Sequence, residues 1–124
     1  MSSRPVHFEM TAVNPDRAAK FYESVFGWTA MKWQGPVEYW LLTTGECGEP
    51  GINVGLARRA KGDRAETVNP INVSSVDEYI ARVSDEGGAT IRPKMPIPGV
   101  GYLAYCQDTE GNTFGLFQED TSAR

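Results

Sequence analysis

The chain has 124 residues, a formal net charge of −4, 40% hydrophobic residues and 23% charged residues. This length fits one compact domain or two fused half-size modules, and the composition is globular rather than disordered. The acidic balance argues against a nucleic-acid partner, and the apolar runs fall far short of the roughly 20 residues a membrane-spanning helix needs.

In chain order, PVHFEMTA (5–12) alternates and is predicted as a strand, with Phe8, Met10 and Ala12 on one face and His7, Glu9 and Thr11 on the other. Asn14-Pro15 supplies an N-cap and a proline at the first helical position, opening a helix that runs to about Phe26. Gly27 stands where a left-handed cap is wanted. The stripe Ala18, Phe21, Tyr22, Val25 and Phe26 is expected to face the core. WTAMKW (28–33), EYWLLTTG (38–45) and INVGLARR (52–59) read as strands between Gly/Pro-rich turns. The first half is therefore βαβββ.

The second half repeats that order. VNPINVSS (68–75) reads as a strand, and Ser75 with Glu78 forms a capping-box pattern before a helix that ends at Gly87-Gly88. ATIRP (89–93), GYLAYCQD (101–108) and TFGLFQED (113–120) complete the set. The proline-rich RPKMPIPGVG (92–101) is expected as a constrained loop. Fixed offsets support a duplication: Asp16 to Gly27 and Asp77 to Gly88 each span 11 positions, and Gly55-Leu56 matches Gly115-Leu116 at an offset of 60. Neither half covers both faces of its sheet alone, so the two are expected to pair, with polar faces inward and helices outside.

The excess acidity is uneven, because residues 1–62 hold 7 Lys/Arg and 6 Asp/Glu while residues 63–124 hold 5 and 10. The basic stretch Arg58, Arg59, Lys61, Arg64 is expected as a solvated connector. Cys47 and Cys106, 59 positions apart, are expected as free thiols in a reducing compartment. No apolar leader follows the start, so a cytoplasmic protein is expected.

VHFEMTAVNPDRAAKFYESVFGW (6–28), GGATIRPKMPIPGVGYLAYCQDTEGNTFGLFQ (87–118) and the paired βαβββ order resemble the vicinal oxygen chelate superfamily, the glyoxalase/bleomycin-resistance/dioxygenase group. The resemblance spans nearly the whole chain. It implies an α+β fold in which two modules, at about 5–59 and about 67–120 with a connector at about 60–66, pair into a curved mixed sheet around a central cleft. Residues 1–124 would form a single domain of this type, and the resemblance also implies a homodimer.

Enzymes of that superfamily commonly hold a divalent metal with His, Gln or Glu from the first and last strand of each module, where it acts as a Lewis acid. The corresponding positions here are His7, Gly55, Val68 and Gly115, and only His7 carries a donor. One imidazole cannot replace the three or more protein ligands such an ion takes. Neither metal nor cofactor is expected, and metal-dependent glyoxalase or dioxygenase chemistry is not expected either.

Two readings remain for the residues in those places. Gly55 and Gly115, with Val68, either leave room for a flat ligand or permit close backbone approach. The cleft lining is expected to include Thr11, Asn53, Asn72 and Thr113, with Phe117 as an aromatic wall sharing the parity of Gly115. The sequence leaves open which of Tyr39 and Trp40, and which of Tyr102 and Tyr105, faces inward. His7 and Glu9, two apart on one strand face, are the candidate catalytic pair, with the carboxylate expected to raise the imidazole pKa and orient it as a general base. The leading function is binding of a small organic molecule in the cleft without a metal. The alternatives are a metal-independent isomerase or lyase acting on a small carbonyl compound, and a non-catalytic interaction or regulatory domain.

Overall fold

The computed structural model describes residues 2–36 and 38–124. Its elements are β1 (Arg4–Pro5), β2 (His7–Ala12), α1 (Pro15–Phe26), β3 (Thr29–Lys32), β4 (Tyr39–Thr43), β5 (Asn53–Arg58), β6 (Thr67–Asn72), α2 (Val76–Asp85), β7 (Ala89–Ile97), β8 (Gly101–Gln107) and β9 (Thr113–Glu119). They fall into two compact units, one of residues His7–Thr67 and one of Val68–Arg124 together with the residues up to Val6. The strand expected over 5–12 is therefore two strands, because β1 pairs antiparallel with β6 while β2 pairs parallel with β5.

The N-terminal unit has the strand order β3-β4-β5-β2, with β2 and β5 parallel and the other pairs antiparallel. Helix α1 starts where Asn14 Oδ1 accepts the Arg17 amide at 3.1 Å and stops at Gly27, whose φ of 73° is one L side chains rarely adopt. Register places Phe8 opposite Val54, Met10 opposite Leu56, and Leu56 opposite Trp40. These residues lie under α1, where Ala19, Trp40, Leu42, Val54 and Leu56 form the core. The alternation of β2 thus sorts as the sequence predicts.

The helix stripe sorts differently. Phe21 is 57% and Phe26 60% exposed, and Val25 is exposed as well, so the expectation that Phe21 and Phe26 are core is corrected. The sheet side of α1 is carried by Ala18, Ala19 and Tyr22, small enough in two places to let the helix sit close. Tyr22 stacks on Trp28 with ring centroids 5.1 Å apart, and Phe26 stacks on the same indole at 5.4 Å, which covers the end of the helix.

The C-terminal unit repeats the topology as β7-β8-β9-β6, with β6 and β9 parallel and β1 added beside β6. Ser75 Oγ accepts the Glu78 amide at 3.1 Å to start α2, which ends at Asp85, ahead of the Gly87-Gly88 pair. Val73, Val76, Ala104, Cys106 and Leu116 form its core, with Tyr102 packed against them. The segment expected as a loop over 92–101 is strand as far as Ile97. Pro93 and Pro96 are tolerated because β7 ends its sheet and shifts register against β8 at two places, between Thr90 and Arg92 and between Arg92 and Met95.

Candidate functional site

In the N-terminal unit, the side of the sheet away from α1 carries His7, Glu9 and Thr11 from β2, Asn53, Gly55 and Ala57 from β5, and Tyr39 and Leu41 from β4. Register puts His7 beside Asn53 and Glu9 beside Gly55, with Leu41 on the far side of Gly55. Trp40 is buried under the helix, so the choice the sequence leaves open resolves with Tyr39 on the polar side.

Tyr39 organises this face. Its hydroxyl donates to Glu9 Oε2 at 3.3 Å, and the ring lies over Gly55 so closely that a Cβ there would sit 1.7 Å from Oη. The room that the glycine opens is taken by the chain's own phenol. Burial and the adjacent Glu9 carboxylate push the Tyr39 pKa well above its ordinary value, so the hydroxyl stays a donor.

His7 is half-buried, and burial lowers its pKa below the ordinary 6.5 despite the opposing pull of Glu9. This corrects the expected direction: desolvation of the imidazolium outweighs the carboxylate two residues away. The imidazole is neutral at pH 7, the form that accepts a proton.

Thr11 and Asn53 are already engaged. Arg59 Nη1 donates to the Thr11 carbonyl at 2.5 Å and to Thr11 Oγ1 at 3.3 Å. Asn53 Oδ1 accepts from the Thr44 amide at 3.0 Å and so fastens the turn before β5. Nothing in the sequence marked Arg59 beyond its place in a basic stretch.

The remaining candidates lie in the C-terminal unit, on the face of its sheet away from α2. There Pro70 pairs with Gly115 and Asn72 with Phe117, while Leu103 and Tyr105 stand across β9. A Cβ at Gly115 would lie 3.2 Å from Pro70 Cα and 3.6 Å from Leu103 Cδ1, so this glycine permits close approach of a neighbouring strand. Phe117 leans over Gly101, where a Cβ would meet its Cζ at 3.0 Å. Val68 and Thr113 are half-buried at the near ends of β6 and β9. Asn72 Oδ1 is buried and has no hydrogen-bond partner among the described residues. Tyr105, not Tyr102, shares the Gly115 side.

The donor set does not fit a divalent metal. Among the described residues no three His, Cys, Asp or Glu side chains group to hold an ion, and Gly55, Val68 and Gly115 bring no donor of their own. The chemistry available to the N-terminal face is that of a neutral imidazole, a carboxylate and a phenol.

A model of the Glyoxalase/Bleomycin resistance protein/Dioxygenase superfamily matches residues 4–116. No curated protein sequence matches significantly. Among solved structures, methylmalonyl-CoA epimerase from Mycobacterium tuberculosis is 12% identical with a TM-score of 0.70, over 97% of this chain and 93% of that one. A variant of the Streptomyces coelicolor methylmalonyl-CoA epimerase, in complex with 2-nitronate-propionyl-CoA, is 15% identical with a TM-score of 0.69, over 95% of this chain and 99% of that one. A hypothetical protein from Bacillus halodurans C-125 is 16% identical with a TM-score of 0.73, over 100% and 99%. At these identities the likeness is one of fold.

Proposed function

The chain belongs to the Glyoxalase/Bleomycin resistance protein/Dioxygenase superfamily, and from that premise we propose that it binds a small organic molecule without a metal, anchored by His7, Glu9 and Tyr39. The observation that carries the proposal is the sorting of β2. Its apolar residues lie under α1, while an imidazole, a carboxylate and a hydrogen-bonded phenol project together from the opposite, half-buried side. A few convergent polar groups beside apolar surface are what fixes a small ligand's orientation. Solved relatives of the same fold include one described with methylmalonyl-CoA, which supports an organic ligand class and names none for this chain.

The test is a thermal-shift survey of carbonyl compounds, aromatic acids and acyl thioesters against the wild type and the variants His7→Ala and Glu9→Gln. A ligand at 100 times its Kd stabilises by about 2.7 kcal/mol, and a true ligand of this face loses most of that gain in both variants. Ligands whose stabilisation is indifferent to both changes would refute the proposal.

A second reading follows from the lowered pKa of His7. A neutral imidazole beside a carboxylate can abstract a proton from carbon next to a carbonyl, as an isomerase or lyase step requires. The readout is exchange of that proton for deuterium from the solvent, followed by NMR and abolished in His7→Ala. Binding that survives with no exchange in the wild type leaves the first reading alone.

The proposal includes a homodimer, to be read by analytical ultracentrifugation, and a cytoplasmic location, with which the free thiols of Cys47 and Cys106 agree. No helix among the described residues is long and apolar enough to cross a membrane.

A further inference from the structure

A hollow of about 430 Å³ opens at the start of α1, lined among others by Thr11, Val13, Arg17, Ala18, Phe21 and Arg59. It combines two cations with an apolar wall. Arg17 and Arg59 have no carboxylate within ion-pairing distance among the described residues. Arg59 is fixed through Nη1 to Thr11, its Nη2 takes no partner among those residues, and its Nε is buried with none. Nε is closed off by its burial, so Nη2 is the part of the guanidinium whose hydrogen bonds remain for a ligand, a charged donor suited to a carboxylate oxygen.

The Glu38 carboxylate is already matched: Arg58 holds it in a bidentate pair at 2.6 and 2.8 Å and donates to the Val13 carbonyl at 2.7 Å, while Asp16 forms no ion pair among the described residues. The helix start offers little of its own, since Pro15 has no N–H and the Arg17 amide is taken by Asn14. What would hold an anion here is the pair of guanidiniums. Val13, Ala18 and the exposed ring of Phe21 would remain in water against an inorganic ion, whereas an apolar body would cover them.

We propose that this hollow is a second ligand site, at the Thr11 end of β2 rather than at His7, that takes a small organic carboxylate with an aromatic or branched apolar body. The two arginines grip the carboxylate, and the body lies against Phe21.

Benzoate is the probe, titrated into the full chain and followed by amide chemical shifts. The expected result is saturable binding in the millimolar range, with shifts confined to the segment from Thr11 to Phe21 and to Arg59. Benzyl alcohol, the neutral analogue, and inorganic phosphate, which lacks the body, should bind far more weakly. Arg17→Gln should weaken benzoate about tenfold, the effect of losing one charged hydrogen-bonding partner. Arg17 is exposed and its side chain holds no other element, so this variant keeps the fold; Arg59→Lys, which keeps the charge but loses the fork, should weaken benzoate as well. The proposal fails if benzyl alcohol or phosphate binds as tightly as benzoate, if Arg17→Gln leaves the affinity unchanged, or if the shifts centre on His7 and Glu9.

Discussion

Replacing Gly55 by alanine tests whether Tyr39 owns the space above that glycine. The new Cβ would stand 1.7 Å from Tyr39 Oη and 2.6 Å from Cζ, where ordinary contacts are about 3.5 Å or more, so the ring has to move. Moving it breaks the 3.3 Å bond to Glu9, a loss of about 1 kcal/mol. Overpacking adds about 1–3 kcal/mol, and alanine recovers about 0.5–1 kcal/mol over glycine within a strand. The net cost is about 2 kcal/mol, which for 124 residues lowers Tm by about 8 °C. Urea unfolding followed by tryptophan fluorescence, at one fixed protein concentration, measures it. The decisive comparison is the same substitution in a Tyr39→Ala background, where the obstacle is gone and Gly55→Ala should cost nothing or stabilise slightly. A coupling of about 2 kcal/mol is expected. If the two substitutions are instead additive, Tyr39 does not occupy that space and the glycine is kept for another reason.

His7 is the only histidine, so its ring resonance is unambiguous in a pH titration and should show a midpoint below 6.5. The linked stability follows in sign: the unfolded chain takes up the proton first, so stability falls as pH drops from about 6.5 toward the folded midpoint and is level above; in His7→Asn this histidine's part of that slope should vanish from urea midpoints, and a wild-type midpoint above 6.5 would show that Glu9 outweighs burial. Ser75→Ala removes the acceptor of the Glu78 amide and should lower stability by about 1 kcal/mol, restored in part by Ser75→Asp; no loss on calorimetry would mean that α2 starts elsewhere. Leu42→Ala, at a fully buried position beneath α1, should cost about 2–5 kcal/mol in the same urea assay, and a cost below 1 kcal/mol would contradict its place in the core.

Much of this architecture was readable from local chemistry, because caps and alternation are written within a few residues of where they act. Asn14, Gly27 and Ser75 each cap the helix end that the sequence assigns to them or to their motif. The failures share a different cause, which is that burial depends on a neighbour the local sequence does not name. The α1 stripe is apolar at Phe21, Val25 and Phe26, yet the sheet meets the helix at Ala18, Ala19 and Tyr22. The run YWLLTT is apolar on both parities, so only its register against β5 assigns Trp40 to the core and Tyr39 to Glu9. Proline content favoured a loop at 92–101, but a strand at the end of its sheet has one side on which a missing N–H costs nothing. The pKa of His7 went the same way: the sequence shows Glu9, while the opposing desolvation exists only once the strand is packed.

Gly55 and Gly115 show how one position of a repeated topology serves two ends. Gly55 and Gly115 stand at matching places on β5 and β9, each the strand parallel to the first strand of its module. At Gly115 the missing side chain lets Pro70 approach to ordinary packing distance, and the surrounding Leu103 and Pro70 are buried and apolar. At Gly55 it admits a phenol that ends in a hydrogen bond to a carboxylate. Replacing Tyr39 alone takes that donor from the Glu9 carboxylate and costs the hydrogen bond, whereas an apolar solution like the one at Gly115 would require both residues to change together. His7 lies on the strand that carries Glu9, whereas its counterpart in the other module is Val68. The imidazole, the carboxylate and the phenol bound to it thus stand on the N-terminal sheet, while the corresponding C-terminal face carries Val68 and Gly115 beside Asn72 and Tyr105. A ligand that needs a neutral base or a carboxylate anchor therefore has to contact the N-terminal module.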